Sequence, residues 1–140
     1  MNNIKLIFHF LQLNVLLVEY RGFGKSESKP SEKGVKRDAE AALQYLFKCE
    51  KIDTSKIIIF GRSLGGAVAI HLAASHPNDE RIKAVIVENT FTDITNMSIH
   101  LFKFVKYFKF LINLKFDSIN YISKITQPIL FLSGKMDTLV

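Results

Sequence analysis

Ile57-Ile58-Ile59-Phe60-Gly61-Arg62-Ser63-Leu64-Gly65-Gly66-Ala67 is the stretch that decides how this 140-residue chain is read. Three isoleucines and a phenylalanine in a row predict a short buried strand, and Ala67, Val68, Ile70, His71, Leu72 and Ala74 beyond them recur at helix spacing. Where a strand runs into a helix through G-x-S-x-G, the chain must bend sharply: the middle residue, Ser63, takes a strained backbone, and Gly61 and Gly65 leave room for the turn. Such a bend, with Arg62 beside it, holds the Ser63 hydroxyl out at the carboxyl edge of the sheet. The backbone N–H of Leu64, in the first turn of the helix, points toward the same space and can bind a developing oxyanion. Gly66 and Ala67 let the helix lie close to the sheet. A chance match in a Gly- and Ser-containing loop is the competing reading. The strand before and the helix after favour a nucleophile over a structural serine.

Outward from this centre, Val15–Val18, Ala84–Val87 and Ile129–Leu132 are further apolar runs without alternation, which predict strands buried on both faces. Val35, Ala39, Ala42, Leu43 and Leu46 recur at helix spacing between the first two runs. Strands alternating with helices predict an α/β fold, a mostly parallel sheet with flanking helices. The breakers agree: Gly22, Gly24 and Pro30 follow the first run, Asp53 and Ser55 precede the second, and Pro128 opens the fourth. Residues 1–140 are read as one domain, with no internal repeat or low-complexity linker.

Composition removes several classes of function. With 48% hydrophobic and 23% charged residues the chain is not disordered. The single Cys49 cannot form an intrachain disulfide, which suits a reducing compartment, and no Cys/His cluster has metal-ligand spacing, so neither a metal nor another cofactor is expected. A net charge of +6 could favour an anionic membrane, nucleic acid or an acidic partner. Because the lysines are spread along the chain and no helix concentrates arginine, nucleic acid is not expected. The apolar stretch from Ile4 to Val18 is interrupted by Lys5, His9, Gln12 and Asn14 and is too short and polar to span a bilayer. It ends in Glu19-Tyr20-Arg21 where a signal peptide would need small residues.

Between the third and fourth runs, the segment from Phe91 to Gln127 holds six of the twelve Phe together with Lys103, Lys106, Lys109 and Lys115. On a helical projection Leu101, Phe104, Val105, Phe108, Leu111 and Ile112 share one face, a core stripe. Phe102 and Phe110 fall among the lysines opposite, a pattern that suits a membrane interface or an acyl-chain lid. Packing of those two rings on neighbouring loops, or on protein outside this chain, is the plainer alternative.

A serine hydroxyl needs a base, usually His, oriented by a carboxylate. Asp137, in Ser133-Gly134-Lys135-Met136-Asp137 just past the fourth run, is the best-placed acid; Glu88, ending the third run, comes second and Asp93 third. The histidines are His9, His71, His76 and His100, and none follows Asp137, so the order Ser, acid, His is broken. His71 lies two turns into the helix and should point away from Ser63; His76 stands at that helix's end near Pro77; His100 lies in the Phe-rich segment. Non-catalytic use of the fold as a binding or interaction module therefore stays open.

Asn14–Ser26, with its Tyr20-Arg21-Gly22-Phe23-Gly24 turn, Phe60–Ala69, and Val87-Glu88-Asn89-Thr90-Phe91 resemble the α/β-hydrolase superfamily, in its bud-emergence group. The resemblance runs from Asn14 onward. It implies a serine hydrolase with Ser63 as nucleophile and Asp137 as acid, acting on an ester or thioester of an acyl group, in a small molecule or a lipidated protein; protein depalmitoylation is the activity often attached to relatives. It further implies an intracellular, membrane-associated protein whose anchor precedes the hydrolase domain. Departures accompany the match. The strands that open the family's domain, and the helix, strand and catalytic His that close it, have no counterpart here, so 1–140 reads as a partial α/β-hydrolase domain with a Phe-rich lid segment. In that fold the Val15–Val18 strand is separated from the Ile57–Phe60 strand by one this chain lacks, which predicts a vacant slot in the sheet, and Ile4–Phe10 reads as the end of a helix.

Overall fold

The computed structural model describes residues 2–90 and 116–134. Along them run α1 (Asn2–Leu11), α2 (Glu32–Phe47), β1 (Ile57–Arg62), α3 (Leu64–Ser75), β2 (Ile82–Glu88), α4 (Ser118–Ile122) and β3 (Ile129–Leu132). The three strands pair in parallel in the order β1-β2-β3, with Ile59, Val85 and Ile129 in one row and Phe60, Ile86 and Leu130 in the next. Parallel neighbours need a crossover connection, and α3 supplies it between β1 and β2, packing back on both. The α/β class read from the sequence is the one observed.

Local signals explain the elements. Ser31 caps α2 by accepting the Gly34 N–H at 3.1 Å, and Glu32 places negative charge in its first turn. Val35, Ala39 and Leu43 form the buried stripe of α2, and it lies against α3. Apolar almost all round, α3 is enclosed by the sheet on one side and by α2 and α4 on others. Val35, Leu43, Ile59, Val68, Ile70, Val85, Val87 and Phe116 are the centre of the core. The short α4 has no periodic signal in the sequence; Asp117 caps it by accepting the Asn120 N–H.

Two expectations are corrected. The strands are not buried on both faces: Ile57, Ile59, Val85 and Val87 pack under α3, whereas Ile58, Phe60, Leu130 and Leu132 are exposed. Among the described residues the helix packed on the sheet is α3, so the second face has no cover. Nor do Val15–Val18 form a strand. They run as irregular chain with Val15, Leu16 and Leu17 exposed, because an extended segment is stabilised by the ladder it joins and no described backbone pairs with this one. The expected helix at Ile4–Phe10 is present as α1, with Leu6, Phe8, Phe10 and Leu11 exposed.

The turn after Val18 is nevertheless fixed. Gly22 (φ 77°) and Gly24 (φ 54°) take left-handed backbone, and Phe23 N–H donates to Tyr20 O at 3.0 Å. Arg21 then ties the turn to α2. Its Nη2 and Nε donate to the Asp38 carboxylate at 2.6 and 3.0 Å, and its backbone N–H does so at 2.9 Å.

Candidate active site

A single residue, Ser63, separates β1 from α3. Its φ of 51° and ψ of −120° lie where L-residues are disfavoured by ~1–3 kcal/mol, so neighbouring groups must hold it there. They do so through both of its backbone groups. The Ser63 N–H donates to Glu88 O at 3.0 Å, and Ser63 O accepts from Gly66 N–H at 2.9 Å and from the Thr90 hydroxyl at 3.1 Å.

The glycines divide the steric work differently from expectation. A Cβ on Gly61 would collide with the Gly65 carbonyl and stand 2.7 Å from Gly66 N, backbone atoms that cannot swing aside. On Gly66 it would sit 2.5 Å from Thr90 Cβ and Oγ1. On Gly65 it would meet nothing within 4 Å, so the close approach expected there belongs to Gly66, on the side of the first helical turn that faces the chain leaving β2.

This geometry leaves the Ser63 side chain free. A serine at a helix N-cap usually has extended backbone and accepts an amide N–H of the first turn. Ser63 has neither the extended backbone nor the capping bond, and it is exposed. Among the described residues its hydroxyl has no hydrogen-bond partner. Next to it is Leu64, the first residue of α3, whose N–H has no carbonyl four residues back in its own helix and stands at the positive end of the helix dipole. Among the described residues, the bend thus sets an uncommitted hydroxyl beside an uncommitted donor. Arg62, exposed, lies 3.7 Å through Nε from Glu88 Oε1, a long surface pair.

The chain after β2 joins the bend to the end of β3. Asn89 N–H donates to Leu132 O at 2.8 Å, and Asn89 Oδ1 accepts from Gly134 N–H at 3.1 Å. Gly134 stands three positions before Asp137 in sequence. Asp137 itself lies outside the described residues, as do Asp93, His100, Phe102, Phe110 and the rest of the Phe-rich segment up to Lys115. Glu88, the second-choice acid, contributes its carbonyl to Ser63 and turns its carboxylate toward Arg62.

The described histidines are engaged elsewhere. His9 stands on α1, edge-on to Phe8. His71 lies eight residues along α3 from Ser63, about 12 Å of helix axis. Its ring packs edge-on against Tyr121 at 4.9 Å, and burial, followed by the charge of Lys36, holds its pKa below the ordinary histidine value. It lines a groove of ≈ 550 Å³ between α2 and α3, with Glu32, Lys36 and Glu40, that does not include Ser63. His76 ends α3 and places Nε2 2.8 Å from Glu40 Oε2. Asn89 and Thr90 are the residues whose part at the bend the sequence did not announce; a polar pair directly after a buried strand is the signal that could have found them.

Comparison with known proteins places the chain among relatives. The profile of the family described as alpha/beta hydrolase fold matches residues 2–116. An alpha/beta hydrolase domain-containing protein of Arabidopsis thaliana, WAV2, is 40% identical over 98% of this chain and 48% of its own length. Protein bem46 of Schizosaccharomyces pombe is 41% identical over 97% and 46%. A Saccharomyces cerevisiae relative, 34% identical over 98% and 48%, is named an uncharacterised membrane protein. This chain therefore spans about half the length of the curated relatives it matches. Among solved structures, a Pyrococcus furiosus protein named an esterase superposes with a TM-score of 0.70 over 87% of this chain and 49% of its own; at 22% identity it speaks for the fold. No helix of the described residues is long and apolar enough to cross a membrane.

Proposed function

We propose that this chain, which belongs to the alpha/beta hydrolase fold family, carries the nucleophile of a serine hydrolase that cleaves an ester or thioester of an acyl group. The observation that carries the reading is the state of Ser63: strained, exposed, at the cap of α3 without capping it, and with its hydroxyl free of any hydrogen bond among the described residues. Strain held by three backbone-directed hydrogen bonds would be a costly way to place a serine with only a structural part to play.

In this mechanism Ser63 Oγ attacks the acyl carbonyl, forming a tetrahedral intermediate whose oxygen the Leu64 N–H receives. The hydroxyl proton must pass to a base, and collapse of the intermediate expels the alcohol or thiol and leaves an acyl-serine that water then hydrolyses. Asp137, three positions past Gly134 in sequence, is the proposed acid that would orient that base. His71 and His76 are poor candidates for the base because each is held against a group on another helix, Tyr121 of α4 and Glu40 of α2. A long-chain acyl group on a small molecule or lipidated protein, as in depalmitoylation, is the proposed substrate class; the Phe- and Lys-bearing segment 91–115 supports it by composition. Work at an intracellular membrane surface belongs to the same proposal, supported by the net charge of +6.

The engagement of His71 and His76 away from Ser63 favours one other reading, a binding module that uses the fold without turnover. A fluorophosphonate probe separates the two. The expected result is one adduct, mapped to Ser63 and abolished in Ser63→Ala, formed slowly and with little p-nitrophenyl ester turnover by the 140-residue chain, since a hydroxyl without a base keeps its proton. A folded protein that gives no Ser63 adduct, and binds an acyl ligand equally well after Ser63→Ala, would overturn the hydrolase reading in favour of the module.

A further inference from the structure

We infer that Asn89 and Thr90 are positioning residues that lock the nucleophile's bend to the chain leaving β3 at Ser133-Gly134, so that the strained Ser63 is held in a fixed register against it. The inference rests on the reading of Ser63 as nucleophile and deepens it. It starts from a topological problem. Ser63 follows β1 and Ser133-Gly134 follow β3, and in the order β1-β2-β3 these strands are not neighbours. Whatever aligns their carboxyl ends must come from the chain that leaves the strand between them. That chain is Glu88-Asn89-Thr90, and each of its residues makes at least one of the necessary bonds.

On the side of β1, Glu88 O takes the Ser63 N–H and the Thr90 hydroxyl donates to Ser63 O, so both backbone polar groups of the strained residue are held from the end of β2 and the chain leaving it. The absence of a side chain at Gly66 is what lets Thr90 come so close: a Cβ there would overlap Thr90 Cβ and Oγ1. On the side of β3, Asn89 reaches across with two bonds, its N–H to Leu132 O at 2.8 Å and its Oδ1 from Gly134 N–H at 3.1 Å. Asn89 has φ 45°, a left-handed backbone that Asn tolerates better than most residues. A residue that must both accept that turn and offer a side-chain oxygen to the next strand's loop is restricted to Asn or Asp. The two residues therefore look in opposite directions from one strand end, Thr90 toward the nucleophile and Asn89 toward the loop.

Four substitutions test this. Thr90→Val keeps the shape and removes the donor; Thr90→Ser keeps the donor. Asn89→Gly keeps the left-handed turn and removes the acceptor; Asn89→Asp keeps the acceptor. Two readouts are taken on each folded variant, with the exchange of the Ile59 and Val85 amides as the check that the core is unchanged: the rate of fluorophosphonate labelling at Ser63, and the hydrogen exchange of the Ser63 and Gly134 amides. Thr90→Val should slow labelling about tenfold, the rate equivalent of one lost hydrogen bond, with Thr90→Ser within about twofold of the parent. Asn89→Gly should speed Gly134 exchange about tenfold, with Asn89→Asp close to the parent. Unchanged labelling in Thr90→Val, or unchanged Gly134 exchange in Asn89→Gly, overturns the inference. If the parent gives no adduct at all, the amide exchange still decides the lock on its own, so that failure of the hydrolase reading is told apart from failure of this one.

Discussion

Val15-Leu16-Leu17-Val18 and Ile57-Ile58-Ile59-Phe60 are nearly interchangeable as sequence, and in the structure one is exposed irregular chain and the other a strand under a helix. Intrinsic preference does not separate them, since both are apolar and neither alternates. What separates them is a neighbour. Ile58–Arg62 pair with Ala84–Glu88 along a parallel ladder, and α3 covers the side that holds Ile57 and Ile59. The earlier run has no described partner and gains neither ladder bonds nor burial. A strand is thus a property of the pair, which a pattern along one chain cannot report.

Truncating one residue of each run is the most direct way to break the comparison. Ile59→Ala, under α3, should cost roughly 3 kcal/mol in urea unfolding, the usual range for an isoleucine truncated in a core. Leu17→Ala, at a residue that is 71% exposed, should change stability by no more than about 0.5 kcal/mol. Equal losses in the two variants would mean that the earlier run is buried in solution, and the contrast would fall.

The same distinction, reduced to one methyl group, can be drawn between adjacent residues of the bend. Gly66→Ala drives a Cβ into Thr90 and should cost about 1–3 kcal/mol, because Thr90 is itself bonded to Ser63 and cannot give way without releasing it. Gly65→Ala meets nothing and should stabilise α3 by about 0.5–1 kcal/mol through helix propensity. Thermal unfolding of the two proteins reads the difference. If both substitutions prove neutral, Thr90 does not stand where the bend requires it.

These pairs show what could be read from sequence at this site. The bend was legible because its requirements are local: Ile57–Phe60, the spacing Gly61-x-Ser63-x-Gly65 and the apolar helix after it lie within twenty residues and constrain one another. The role of Gly66 against Thr90 was not, since the two are 24 positions apart and meet only because β2 lies beside β1. For the same reason Asn89, although it stands in a stretch that resembles the family, had no role legible in the sequence; its two bonds to Leu132 and Gly134 depend on β3 returning to the far side of β2. The exposed sheet face was misread because four apolar residues in a row suit burial on both sides, and whether a second layer exists is not written in the strand. Short α4 escaped because five residues carry no period and its cap, Asp117, is a common loop residue.

The smallest expected effect concerns the place where the unpaired stretch rejoins the packed half, the Arg21–Asp38 pair. The side-chain hydrogen bond from Arg21, aided by the Arg21 N–H and charge, holds the Asp38 carboxyl below its ordinary value. A carboxylate whose folded pKa is depressed stabilises the fold fully above its unfolded pKa and loses that contribution as pH falls through the folded value. Asp38→Asn should therefore unfold more easily than the parent at pH 7, by less than ~1 kcal/mol because both partners are partly exposed. The difference should shrink below about pH 4 and vanish once Asp38 is protonated in the parent as well. Two stability curves that stay parallel from pH 7 down to acid would show that the pair does not anchor the turn, and that the glycine backbone at 22 and 24 holds it to α2 without help from charge.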